Sequence, residues 1–353
     1  MIPVAADTHV YIICPAQFAT GGPEALHQLG HHLRKKGIKA FMYYIWMNDR
    51  KKKRKITTQD PVHSRYRGYS VPYTDSIENH SRHYLITPET YLDPIFDKNV
   101  EKVGKIVWWL SVSNYYKILL PKIKKYHRNP LFWIRKLVNP KKLGTLEELK
   151  TAGVLHLAHS YYSKVHLEQH GLTIAGRISD YMNKVFFEKA DDTFPKKNQV
   201  IYNPVKNDFF LQKIIQASPG INWVPISGLS PEQVVQIMNE SKVYVDFGYH
   251  PGKERMPREA CIMRCCLIIG KEGSASFQQD MPIPDAYRFE KKEESIPAIA
   301  DQITACLANY EYHIPHFSHY RQVLLEEEVA FAQDVNTVFV QMKEQSIQKP
   351  VLS

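Results

Sequence analysis

No stretch of the 353-residue chain reaches roughly 18 uncharged apolar residues, so no segment reads as a membrane-spanning helix. The amino terminus, Met1-Ile2-Pro3-Val4-Ala5-Ala6-Asp7, lacks the basic-then-apolar pattern of a secretory leader. Cysteine is scarce as well. The five residues Cys14, Cys261, Cys265, Cys266 and Cys306 contain no Cys-x-x-Cys pair, and the spacing within 261–266 does not suit zinc. Free thiols in a reducing compartment follow, and with them a cytoplasmic location. The dinucleotide fingerprint Gly-x-Gly-x-x-Gly, the Walker A lysine motif, the Gly-x-Ser-x-Gly elbow and His-Glu-x-x-His are all missing. Asp-x-Asp, a common way to hold a divalent ion on a diphosphate, is also absent.

What is present is an ordinary globular composition, 44% hydrophobic and 23% charged, with length for about two domains. The net charge of +10 is unevenly spread. Residues 1–190 carry 30 basic against 15 acidic side chains, whereas the remainder carries 16 against 21. Arg50-Lys51-Lys52-Lys53-Arg54-Lys55 is an unbroken basic run, and residues 117–142 hold nine cations and no acid. Such a half suits a polyanion or an anionic membrane surface.

Apolar runs separated by helical spacers predict a parallel sheet covered on both faces. The runs are Val10–Pro15, Ala40–Trp46, His83–Ile86, Lys105–Leu110 and Val154–Ala158. Leu26, Leu29 and Leu33 give the first helix a buried stripe that Gly37 ends. A second α/β unit starts near Asn198, with strands at Val200–Tyr202, Asn222–Ile226, Lys242–Phe247 and Leu267–Gly270. Apolar residues at helical spacing predict a final helix from about Tyr320 to Gln345. The expected architecture is α/β, with two doubly wound Rossmann-like domains facing each other across a cleft. Its divisions are 1–192 and 193–317, with a helix at 318–346 returning to the first. Ligands of such sheets bind beyond the carboxyl ends of the strands.

The densest chemical signal is His250-Pro251-Gly252-Lys253-Glu254-Arg255-Met256-Pro257-Arg258-Glu259, between a strand and a helix. A helix amino terminus attracts anions, Lys253, Arg255 and Arg258 would neutralise phosphate, and Gly252 permits close backbone approach. Glu259, on the first turn, is placed to accept hydrogen bonds from ribose hydroxyls. Thr20-Gly21-Gly22-Pro23 offers a second glycine turn after a strand, Lys206 follows the strand at 200–202, and Ser274 follows the one at 267–270. Each of these turns also has a plain structural reading. The helically spaced pairs His27/His31 and His166/His170 read as solvated histidines and not as metal ligands.

Together these features resemble the GT-B glycosyltransferases, in particular the retaining, family-4-type enzymes. Val107-Trp108-Trp109-Leu110-Ser111-Val112-Ser113-Asn114, Ser160-Tyr161-Tyr162 and Asp246 to Lys253 are similar to a bacterial branch of surface polysaccharide assembly. The resemblance implies transfer of a sugar from a nucleotide-diphospho-sugar to a carbohydrate or lipid-linked acceptor, in polysaccharide, lipopolysaccharide or capsule assembly. It implies diphosphate binding by Gly21, Gly22, Lys206, Gly252, Lys253, Arg255 and Arg258, with Ser274 nearby, and ribose binding by Glu259. Asp246, His250 and Glu254 are candidates beside the transferred sugar, and Ser111 and Asn114 beside the acceptor. Two departures stand out. Pro251 occupies the place of the first acid in the family's Glu-x7-Glu element, and Leu110–Asn114 replaces a histidine often found after the fourth strand. Retention or inversion at the anomeric carbon therefore stays open.

No metal or cofactor is expected, the nucleotide-sugar being a co-substrate, and nucleic acid is not an expected partner. Two rival readings follow from the same residues: a catalytically silent GT-B scaffold, and a basic nucleic-acid-binding protein. Peripheral attachment to an anionic membrane is expected through residues 117–142, where Phe132, Trp133 and Ile134 interrupt the cations, with the run at 50–55 assisting.

Overall fold

The structure, a computed structural model, describes residues 1–46, 60–127, 142–206 and 209–342. A short strand β1 (Ile2–Val4) precedes the first sheet. That sheet contains β2 (His9–Pro15), β3 (Lys39–Ile45), β4 (Tyr84–Pro88), β5 (Gly104–Trp109), β6 (Leu155–Ala158) and β7 (Ile174–Arg177). All six pair in parallel, in the order β3-β2-β4-β5-β6-β7. The apolar runs of β2, β4, β5 and β6 are buried on both faces, because the crossover helices cover the sheet, whereas edge strand β3 buries only Ala40 and Met42. Helix α1 (Gly21–Lys35) follows β2, and α2 (Val112–His127) follows β5. Then come α3 (Leu146–Thr151), α4 (Tyr161–Gln169) and α5 (Lys184–Glu188). Ala25, Leu26, Leu29 and Leu33 form the buried stripe of α1, and Gly37, at φ +83°, lets the chain leave it.

The second sheet comprises β8 (Lys197–Tyr202), β9 (Trp223–Pro225), β10 (Ser241–Asp246), β11 (Cys266–Gly270) and β12 (Arg288–Phe289). It too is parallel, in the order β12-β11-β10-β8-β9. Its helices are α6 (Phe209–Ala217), α7 (Pro231–Glu240), α8 (Arg255–Ile262), α9 (Ile296–Ala308) and α10 (Tyr310–His313). Ser230 and Gln233 cap the start of α7 reciprocally, as the Ser-x-x-Gln spacing dictates. All five cysteines are buried and free.

The strand orders locate the ligand crevices. In the first sheet the chain steps from β2 to β3 on one side, then to β4 on the other, so the order reverses between β2 and β4. In the second it reverses in the same way between β8 and β10. Loops diverge at such reversals and leave a crevice beyond the strand ends.

The last helix differs from its expected extent. Helix α11 (Ser318–Val338) ends eight residues before 346, and the chain continues as β13 (Phe339–Gln341), paired in parallel with β1. Phe339 therefore packs as a strand residue. The buried stripe of α11 is Tyr320, Leu324, Glu327, Phe331, Val335 and Val338, whereas Leu325 and Val329 face solvent. Phe331, Val335 and Val338 join Ile2, Val10 and Ile12 in the core of the first sheet, while Tyr320 and Leu324 join the core of the second. Residues 50–55 and 128–141, with Phe132, Trp133 and Ile134, lie outside the described residues. Lys117 to His127 form the second half of α2, with Leu119 buried and Leu120 exposed. Among the described residues no helix is long and apolar enough to cross a membrane.

Candidate active site

The two reversal points face one another across a cavity of about 550 Å³. From the first sheet it is lined by Phe18, Thr20 to Pro23, Ala25 and Leu26 after β2, by Pro88 to Tyr91 after β4, and by Leu110, Ser111, Asn114 and Lys117 on α2 and just before it. His159 follows β6, and Asp180 follows β7. From the second sheet come Lys206 after β8 and Pro251 to Met256 after β10. The walls touch at Gly252, where a Cβ atom would lie 2.2 Å from the Leu110 carbonyl oxygen. No residue other than glycine fits there without moving the walls apart. Lys117 Nζ, on the first wall, stands 4.6 Å from the centre of the Tyr249 ring, on the second.

Every cation of the 253–258 segment is met by a carboxylate from across the cleft. Arg255 pairs with Glu24, on the first turn of α1. Lys253 Nζ lies 2.7 Å from Glu327 on α11 and also donates to Ser179 Oγ. Arg258 donates to Asp180 at 2.8 Å and to both oxygens of Glu327 at 3.1 and 3.2 Å. Lys206 pairs instead with Glu254 of its own half. Asp180 also lies 3.3 Å from His159 Nε2. Burial opposes charge on Asp180, but Arg258 and His159 outweigh it and hold the carboxyl well below the usual carboxylate range.

The expected site residues fall into two groups. Gly21, Gly22, Ser111, Asn114, Lys206, Gly252, Lys253, Glu254 and Arg255 line the cavity together. Asp246, His250, Arg258, Glu259 and Ser274 are not among its lining residues. Asp246 is fully buried and accepts from Tyr244 Oη and the Gly248 N–H. His250 is fully buried beside it, and burial lowers its pKa. The Arg258 guanidinium is spent on Asp180 and Glu327, and Ser274 donates to the Gly252 carbonyl at 2.6 Å. These four hold the loop in shape. Gly273, at φ +54°, sits where a Cβ would lie 1.9 Å from the His250 carbonyl, so that turn also fixes the loop. Glu259 is nearly buried at 8% exposure, and among the described residues its carboxylate accepts no hydrogen bond. Burial raises its pKa, against the pull of Arg255 and Arg258.

Sequence reading missed four acids. Glu24 and Asp180 lie in segments where no charged partner was sought. Glu327 had a legible signal, since an acid in register with Leu324 and Phe331 must be buried. Glu89 follows β4 at the reversal point, and only the strand order reveals its place. It is 3% exposed, and Oε2 accepts the Leu110 N–H at 2.9 Å. Burial pushes its carboxyl up to about 8, although the amides of Leu110 and Ser111 pull the other way. The histidine pairs are corrected as well. His27 is buried between the Pro23 carbonyl and Tyr44 Oη, and His166 is buried against Trp109 and Tyr116.

No protein-family model matches the chain, and no curated protein matches it in sequence. Solved structures do match in shape. Anabaena HepE, in complex with UDP-glucose, superposes with a TM-score of 0.59 at 9% identity, over 93% of this chain and 98% of HepE. The fold is GT-B. Sucrose-phosphate synthase from Thermosynechococcus elongatus gives a TM-score of 0.55 at 13% identity, over 92% of this chain and 96% of the synthase. A glycosyltransferase from Rickettsia africae gives 0.51 at 11% identity, over 93% and 98% of the two chains.

Away from the cleft, His9, Glu78 and His83 bring three ligand atoms within 4.8 Å of one another at the amino ends of β2 and β4. His83 Nδ1 accepts the His9 backbone N–H at 3.2 Å, so the neutral ring carries its proton on Nε2, facing Glu78 at 3.1 Å. A ring with one nitrogen accepting and the other protonated has no lone pair left for a metal.

Proposed function

We propose that the protein transfers a sugar from a nucleoside diphospho-sugar to a carbohydrate or lipid-linked acceptor, in surface polysaccharide, lipopolysaccharide or capsule assembly. One observation carries this reading: the two sheet reversals share one cavity, and each contributes a helix amino terminus with no side-chain cap. Thr20 precedes α1 and Glu254 precedes α8, and neither side chain satisfies the helix's first amides. Free amides at both walls, with Lys206, Lys253 and Arg255 beside them, suit a diphosphate. HepE, with UDP-glucose in its structure, and a sucrose-phosphate synthase share the fold, which supports the same ligand class.

In this reading residues 193–317 hold the donor, and residues 1–192 with the returning helix hold the acceptor. Gly21, Gly22, Gly252, Lys206, Lys253 and Arg255 take the diphosphate. Glu259 takes the ribose hydroxyls, and Glu254 lies beside the transferred sugar. Ser111 and Asn114 meet the acceptor. Negative charge grows on the leaving diphosphate as its bond to the sugar breaks, so fixed cations and amides stabilise the transition state more than the ground state. Those groups need no metal, and transfer proceeds with chelator present. Residues 117–142 hold the enzyme at an anionic membrane surface. Thermal-shift screening of nucleoside diphosphates and their sugars tests the reading, because binding to the folded state alone raises the melting temperature. A flat response across uridine, guanosine, adenosine, cytidine and thymidine diphosphates would overturn it.

A further inference from the structure

We infer that Glu89 is the general base of the transfer, and that the reaction inverts the anomeric carbon. The inference rests on the glycosyl-transfer reading and adds to it the group that moves the proton. Three observations carry it. Glu89 stands on the loop after β4, at the reversal point of the first sheet, where a ligand of that half must lie. Glu89 is one of the residues lining the cavity, yet it is 3% exposed and paired with no cation among the described residues, unlike the acids Glu24, Asp180 and Glu254 at the cleft. The amides of Leu110 and Ser111 fix its orientation.

The leaving-group cations occupy the opposite wall. In this proposal an acceptor hydroxyl held between Ser111 and Glu89 approaches the sugar from the first wall, while Lys206, Lys253 and Arg255 hold the diphosphate from the second. Glu89 takes the hydroxyl proton as the acceptor oxygen forms its bond to C1. The bond from C1 to the phosphate oxygen breaks, and its electron pair leaves with the diphosphate. One displacement of this kind inverts C1, and Glu89 later returns its proton to solvent. A base whose pKa sits near the working pH combines a usable ionised fraction with proton affinity, and burial provides that here. The titratable groups sharing its cavity are Tyr91 after β4, Lys117 on α2, His159 after β6, Asp180 after β7, and Lys206, Lys253, Glu254 and Arg255 across the cleft.

His159 is the competing base, because its Nδ1 is buried without a partner. It follows β6, two strands from the reversal, and its Asp180 partner is already engaged by Arg258.

The test needs no knowledge of the acceptor, since water can take its place. Full-length protein is incubated with a panel of uridine, guanosine and thymidine diphospho-sugars, and the first anomer released is read by proton NMR before mutarotation. The expected result is the anomer opposite to the donor's. Glu89→Gln should bind the donor as the parent does, by calorimetry, and lose at least 100-fold in kcat together with the alkaline rise in rate. In Glu89→Ala, azide should restore turnover and yield the inverted glycosyl azide, because an anion needs no base. His159→Gln should keep both inversion and the pH profile. Release with retained configuration, or an unimpaired kcat in Glu89→Gln, overturns the base assignment and leaves the transferase reading intact. Absence of donor binding in the parent overturns both.

Discussion

The Arg255 guanidinium crosses the cleft to the Glu24 carboxylate, directly above Gly21, whose Cβ position would lie 3.3 Å from Arg255 Nε. The first turn of α1 thus contributes both a glycine beside the proposed diphosphate and the acid that occupies its cation. A phosphate and Glu24 must compete for Arg255. Glu24→Gln should therefore tighten nucleoside diphosphate binding several-fold, and Arg255→Ala should weaken it by roughly 1.5–3 kcal/mol, the range for a charge-assisted hydrogen bond. Calorimetry of the two variants must give opposite signs. Equal affinity in Arg255→Ala and parent would remove Arg255 from the site.

Glu259 is the fifth residue of α8, one position past its first turn, and is nearly buried. Replacing it with glutamine should cost ribonucleotide binding more than 2′-deoxyribonucleotide binding, by about 1 kcal/mol, since only the former donates the extra hydroxyl. Equal losses for the two ligands would place its role elsewhere.

Arg258 joins Asp180 and Glu327 with no solvent around it. Arg258→Met leaves the buried Glu327 with only Lys253 and the buried Asp180 with only His159, and should cost about 3–5 kcal/mol at pH 7 by urea unfolding. Asp180 has its pKa depressed in the fold, so its stabilisation is full above the unfolded value of about 4 and is lost as pH falls toward the folded one. The gap between parent and variant should narrow below about pH 4. A gap of the same size at both pH values would contradict the assignment.

Glu89 has the reverse sign. Its folded pKa, about 8, lies above the unfolded one, so its contribution is full in acid and lost as pH rises through that value. Glu89→Gln should match the parent near pH 4 and exceed it by roughly 3–5 kcal/mol near pH 9. Thermal unfolding across this window decides. A constant difference would mean that the carboxyl titrates as an ordinary acid.

Gly252→Ala should hold the cleft open. The added methyl would overlap the Leu110 carbonyl, a backbone atom that cannot rotate away. Turnover should fall at least tenfold while each sheet stays intact, and small-angle scattering should report a larger radius of gyration. A variant as compact and active as the parent would show that the walls have room to spare.

The strands of both sheets were largely legible, because a strand buried on two faces must be written in Val, Ile, Leu and aromatic residues. Val107-Trp108-Trp109 and Val243-Tyr244-Val245 leave little alternative. Strands β1, β7, β12 and β13 were not, since Ile2-Pro3-Val4, Ile174-Ala175-Gly176 and Arg288-Phe289 hold too few residues for a period to emerge. At the site, the turns at Gly21 and Gly252 were legible from glycine and charge at strand ends. The partners of the cations were not. Glu24, Asp180 and Glu327 stand about 150 residues from one to the next along the chain, and only the packing of α11 over both sheets brings them to one loop. That Asp246, His250, Arg258, Glu259 and Ser274 lie buried behind the cavity wall was not legible either, because charge in a sequence does not say whether its partner is protein or ligand.

The pairing of β1 with β13 ties residues 2–4 to residues 339–341, and this fixes an order of events during synthesis. At ~5–20 residues per second, roughly 20–70 s pass between translation of Ile2 and of its partner Phe339. For that time Ile2, Val4 and Val10 lack the covering that Phe331, Val335 and Val338 later supply. The half of the molecule made first is thus the half that finishes last. Nascent chains caught before residue 331 should show protease-sensitive β2 and β3 beside a nearly settled second sheet, and the core of the first sheet closes only when residues 339–341 reach residues 2–4.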